Sequence, residues 1–166
     1  MGERKTESPR SAQADPVEFA RNVALNSLSS RAKSRRELEL QLERRGVEVD
    51  CAKLVLDRLM AVGLVNDLEF ARAWSRSRQS SKGISRRLLA RELNAKGIDR
   101  DIAENVLAEI SPEDEYEAAR TIAEKKARSI AQLPREIQVR RVFDLLTRRG
   151  FPPAVSASIV REVLPN

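Results

Sequence analysis

GLVNDLEFARAWSRSRQSSKGISRRLLARELNAKGI, residues 63–98, decides the fold, because the rest of the chain repeats its pattern on either side. Asn66 stands where a helix N-cap is expected. Glu69, three positions on, is placed to complete a capping box, with Val65 and Phe70 at the two positions of a hydrophobic staple. Phe70 and Trp74 follow four apart, on one helix face. The quartet Glu69-Phe70-Ala71-Arg72 has counterparts in Glu18-Phe19-Ala20-Arg21 and Glu117-Ala118-Ala119-Arg120. Ser85-Arg86-Arg87 echoes Ser34-Arg35-Arg36. The endings Arg44-Arg45-Gly46, Ala95-Lys96-Gly97 and Arg148-Arg149-Gly150 fall in the same register.

Counting back from each of these glycines, the fourth residue is Leu42, Leu93 or Leu146 and the eighth is Leu38, Leu89 or Val142, which is one face of a helix. Beyond each glycine an apolar residue (Val47, Ile98, Phe151) and a second 3.6-period pattern follow, so each unit is predicted to hold a third helix. The spans expected are 16–29, 35–45 and 51–61, then 67–79, 85–96 and 100–110, then 112–130, 136–149 and 154–163. Asp15-Pro16 opens the first helix, Asp50 and Asp99 are expected to cap third helices, and Pro153 to open the last. The third unit is longer between its Glu117 and Gly150, with Leu133-Pro134 framing the insertion. The fold class is therefore all-α: three tandem three-helix repeats (15–62, 63–110, 111–166) forming an elongated, curved array. Residues 1–14 are expected to be a disordered tail.

Composition agrees. Aromatics make up 4% and charged residues 34% of the 166 residues, with 6 Gly and 7 Pro, which suits aliphatic helices better than a sandwich or barrel. No run is long and apolar enough for a membrane span, and the single Cys51, aligned with Ile102 and Val155, is expected as a small core residue in a reducing, cytoplasmic setting. The chain contains no His, and no CxxC, P-loop or Rossmann glycine motif, so neither catalysis nor a metal or cofactor is expected. Trp74 aligns with Val23 and Ile122 and is expected to pack within its unit. Ser34 and Ser85 are expected as helix caps.

The basic residues carry the functional reading. Arg72, Arg76, Arg78, Lys82, Arg86, Arg87, Arg91 and Lys96 face a single acid, Glu92, between residues 72 and 96, although the whole chain carries only +6. Arg35 and Arg36, like Arg86 and Arg87, lie in first helical turns, where the macrodipole disfavours cations, and this suggests selection for a partner. Arg44, Arg45, Arg140, Arg141, Arg148 and Arg149 extend the candidate surface into the outer units. A direct nucleic-acid-binding helical array, akin to helix-turn-helix modules, fits this pattern, and so does a scaffold whose charges serve solubility.

The order Arg31-x-x-Ser34-Arg35-x-Glu37-Leu38, Gly63-Leu64-Val65-Asn66-Asp67 with Phe70-Ala71, Arg78 before Lys82-Gly83, Glu92-Leu93-x-x-Lys96-Gly97-Ile98 and Arg148-Arg149-Gly150-Phe151 resembles the RecX family over residues 16–164. Where that family often has Lys-Gly-x-Gly, this chain reads Lys82-Gly83-Ile84-Ser85. The resemblance implies tandem three-helix repeats without enzymatic activity. It also implies that the chain regulates the RecA recombinase, in most members by inhibition, through binding to the RecA filament on single-stranded DNA, and the chain itself is expected to be a monomer.

Overall fold

Helix starts are set by short polar side chains and prolines, and the computed structural model, which describes residues 15–165, places nine helices among them and no strand. The first unit holds α1 (Pro16–Ser30), α2 (Arg35–Arg44) and α3 (Val49–Ala61). The second holds α4 (Asp67–Lys82), α5 (Arg86–Ala95) and α6 (Arg100–Ala108), and the third α7 (Pro112–Ser129), α8 (Arg135–Arg148) and α9 (Pro153–Val163). The proposed tail, 1–14, lies outside the described residues.

Asp15 accepts from the Val17 N–H, Ser34 from Glu37, Asn66 from Glu69, Ser85 from Leu88, Asp99 from Asp101 and Ser111 from Asp114, so six helices begin at side-chain caps, each contributing about 1 kcal/mol. Three local expectations differ. Glu69 does not reach back to Asn66 but pairs with Arg72 at 3.0 Å, and the reciprocal capping box forms instead at Ser34 and Glu37. Asp50 lies inside the first turn of α3, whose N-cap is Glu48 with no side-chain bond. Helix α4 runs three residues past the expected end and stops at Gly83, whose φ of 53° is the left-handed conformation that closes a helix.

Each unit builds its own core, because its three helices each present one apolar face and pack on one another. The residues four and eight before each glycine (Leu38, Leu42, Leu89, Leu93, Val142 and Leu146) have no exposed surface, so truncating any one to Ala should cost ~2–5 kcal/mol. Val65 is buried in the first core and Phe70 in the second, so the chain crosses between units across α4's first turn. Cys51 packs, half-buried, against the first core as expected. In the third unit the additional length lies largely in α8, with 14 residues against 10 in α2 and α5.

Trp74 packs within its unit but at the rim. Its ring stacks on Phe70 with centroids 5.9 Å apart, Arg78 Cζ and Lys96 Nζ lie 4.4 and 4.5 Å from its centroid, and its Nε1 donates to Glu92 at 2.9 Å. A half-buried indole with two cations and a carboxylate on it is stabilised by cation–π attraction as well as by apolar burial.

Candidate functional site

A helix N-terminus exposes unpaired N–H groups and a C-terminus unpaired carbonyls, and the chain joins its units by bringing these ends together. At the first junction, Ser34 caps α2 by accepting from the Glu37 N–H at 3.2 Å, while its own hydroxyl donates to the Lys96 carbonyl, at the end of α5, at 2.7 Å. The Arg35 N–H donates to Asp67 of α4 at 2.8 Å, and Lys96 Nζ reaches across to Glu37 at 2.7 Å. The second junction repeats this in register. The Ser85 N–H donates to the Arg149 carbonyl at the end of α8 at 2.9 Å, and the Arg86 N–H and Nε both donate to Glu115 of α7, each at 2.7 Å. The guanidinium of Arg149 donates to the Lys82 carbonyl at the end of α4.

Helices α8, α5 and α2 thus follow one another end to end, C-terminus against N-terminus, so their dipoles run head to tail and a carboxylate sits at each joint beside the positive end it favours. The 34 residues of these helices amount to ~50 Å of helix. This explains two of the first-turn arginines, Arg35 and Arg86. Arg35 is held by Glu39 (3.0 Å), Asp57 (2.6 Å) and the junction carboxylate Asp67, and Arg86 by Glu115, so their placement against the dipole is answered inside the molecule and requires no external partner. Asp67 and Glu115 were missed by sequence reasoning. The signal was present, since each lies two residues before the matching glutamate of the repeated quartet (Glu69, Glu117), in a first turn.

Their surroundings shift the carboxyls of Asp67 and Glu37 in opposite senses. Burial pushes Asp67 up from its ordinary value, opposed by the Arg35 N–H and charge. At Glu37 burial also raises the carboxyl, but hydrogen bonds from Arg31, Lys96 and the Ser34 N–H outweigh it and hold the group at about 2.

The sixteen candidate basic residues divide accordingly. Arg72 pairs with Glu69 and Glu109, Arg78 with Glu92, Lys96 with Glu37, and Arg36 with Glu39. These, with Arg35, Arg86 and the carbonyl-bound Arg149, are structural ties. Arg76, Lys82, Arg87, Arg91, Arg44, Arg45, Arg140, Arg141 and Arg148 are exposed, and none has an ion-pair partner among the described residues. The positions two, six and ten residues before the repeat glycine point away from the buried leucine face, because steps of four keep one helix face. They carry Arg36 and Arg44 on α2, Arg87 and Arg91 on α5, and Arg140 and Arg148 on α8. Each helix of the end-to-end column therefore presents an outer arginine ridge opposite its leucines, and Asp144 is the one acid at these nine positions.

Among the described residues, no group of three or more His, Cys, Asp or Glu could hold a metal, and no helix is long and apolar enough to cross a membrane. A tandem helical-repeat binding protein is the class this fold and ridge define. Residues 20–59, 66–107 and 113–160 match the first, second and third three-helix domains of RecX, and the chain belongs to the RecX family. It is 37% identical over 160 residues to the regulatory protein RecX of Streptomyces coelicolor, covering 96% of this chain and 83% of that one. With the regulatory protein RecX of Corynebacterium efficiens it shares 41% over 160 residues, covering 93% and 76%. The crystal structure of RecX from Lactobacillus salivarius superposes with a TM-score of 0.77 at 26% identity, over 90% of this chain and 97% of that one.

Proposed function

We propose that the chain regulates the RecA recombinase, most directly as an inhibitor, by lying along the RecA filament on single-stranded DNA. It does so as a cytoplasmic monomer, with the outer arginine ridge of α8, α5 and α2 against phosphates and acidic RecA surface. The observation that carries this reading is the separation of the arginines into two sets. The junctions consume Arg35, Arg86 and Arg149, and Arg87, Arg91, Arg140 and Arg148, on the faces of α5 and α8 opposite their buried residues, are left exposed and without an ion-pair partner among the described residues. Family membership supplies the regulatory context, since the relatives are regulatory proteins. A rigid row of guanidinium groups suits phosphate and carboxylate recognition, and bound in this way the chain limits filament growth, ATPase and strand exchange.

The test is RecA ATPase and strand exchange on single-stranded DNA with the wild-type chain and with the double variant Arg87→Glu, Arg91→Glu. Inhibition by the wild type and its loss in the variant, at unchanged helicity, are expected. Losing two phosphate contacts should also flatten the log–log salt dependence of filament binding by ~1.4. If the wild-type chain changes neither activity at low salt, the reading fails. Equal affinity for naked DNA and for filaments would favour a stand-alone nucleic-acid-binding array instead.

A further inference from the structure

One internal joint is made twice over. Besides the end-to-end contact of α8 with α5, the last turn of α4 lies over a groove between α7 and α8. There Gly83 meets Ile122 so closely that a Cβ on it would overlap the Ile122 side chain, and the guanidinium of Arg149 donates to the Lys82 carbonyl. That groove, about 520 Å³, is lined on the third unit's side by residues that include Thr121, Ile122, Ser129 and Arg149. A second groove, about 470 Å³, lies between α1 and α2, and its lining includes Asn22, Val23, Ser30 and Arg45. Each of these is the repeat counterpart of the residue in the same place above, on α1 for α7 and α2 for α8. The first unit therefore carries the same socket, and among the described residues no helix end lies over it. Its Arg45 guanidinium has no ion-pair or hydrogen-bond partner among the described residues, a Cβ on the neighbouring Gly46 would meet nothing within 4 Å, and Phe19 at its edge is 43% exposed.

We infer that this socket takes the C-terminal turn of a helix from the filament protein, with Arg45 donating to the turn's free carbonyls as Arg149 does to Lys82. This rests on the filament reading proposed above and adds a second contact to the arginine ridge. The chemistry selects the occupant. A helix end offers unpaired carbonyls and the negative pole of its dipole to a guanidinium, and the matching socket within the chain already holds such an end. A second copy would have to offer the equivalent last turn of α7, which carries two cations, Lys126 and Arg128, where that of α4 carries Lys82 alone, and would bring the greater positive charge against Arg45. The helix that should then stack on α2, α8, has no capping serine at its start, and its Arg135 is engaged by the carbonyls of Leu164 and Pro165.

The experiment places a photo-crosslinking residue at Asn26, within the groove, and in a separate variant at Arg91, on the ridge, then irradiates each with RecA filaments assembled on single-stranded DNA and maps the adducts. An adduct from position 26 to the last turn of a RecA helix is expected, and Arg45→Gln should weaken filament binding about tenfold, the loss of one charged hydrogen bond. Filament adducts from position 91 with none from position 26 would overturn the socket while leaving the filament reading in place. Adducts from neither would overturn both. Adducts from position 26 to residues 1–14, to DNA or to a second copy would each overturn the assignment of the occupant.

Discussion

Replacing Glu37 by Gln should loosen the joint between the first two units, and the loss should depend on pH. The carboxylate of Glu37 receives Arg31 at 3.1 Å, Lys96 at 2.7 Å and the Ser34 N–H at 3.3 Å, and its side chain is 17% exposed. Its folded value of about 2, against an ordinary 4.5, means that the charged form is favoured by folding. The contribution is complete above pH 4.5 and is lost as pH falls toward 2. At ~1.4 kcal/mol per unit the shift corresponds to ~3 kcal/mol as an upper bound. Solvent screening of the partly exposed Arg31 and the Ser34 bond that Gln can still accept reduce the expected loss to ~1.5–2 kcal/mol. Urea titrations of wild type and Glu37→Gln, followed by helicity at pH 7 and pH 3, should show that difference at pH 7 and less than half of it at pH 3. A difference equal at the two pH values, or none at pH 7, would refute the argument that an ionised Glu37 ties the units together.

Other consequences are as specific. Glu115→Ala removes the acceptor of two donors from Arg86 and should cost ~2 kcal/mol, whereas Glu115→Gln should recover about half, measured by the same titration. Gly83→Ala forces a left-handed φ on alanine and drives its Cβ into Ile122, so it should destabilise by more than ~2 kcal/mol and lower the melting temperature by several degrees. Trp74→Ala should cost ~2–3 kcal/mol, less than a fully buried tryptophan, and Trp74→Phe should restore the stacking on Phe70 but not the bond to Glu92. A melting temperature unchanged in Trp74→Ala would show that the indole contributes no packing.

The units were legible in the sequence because their information is local and repeated. Glycines, the apolar residues at fixed distances before them and a cap or proline at most helix starts specify three helices three times, and each element is checked by two others. The joints were not legible in the same way. Ser34 reads as a cap from its neighbours alone, but its second bond goes to a carbonyl 62 residues further on. Arg35 and Arg86 looked misplaced because the carboxylates that neutralise them, Asp67 and Glu115, belong to the next unit. A rule about one helix in isolation therefore pointed to an external partner where an internal one existed. Arg87 and Arg91 have no such internal answer, and the ridge they begin was visible in part as a basic run. Its continuation onto Arg140 and Arg148 depends on the stacking of helices, which a count of charges along the chain does not contain.

The start of α8 is built differently from those of α2 and α5. In α2 and α5 a serine at the helix start hands the column on to the next unit, but at the corresponding point the third unit has Pro134, which offers no side-chain bond, and Arg135, which turns back to the chain's own final carbonyls. The start of α8 is thereby unlike the two helix starts that form joints. Exchanging that start for the Ser85-Arg86 form would open it to such a joint, and a chain of this kind could then be lengthened by whole units without redesigning any core.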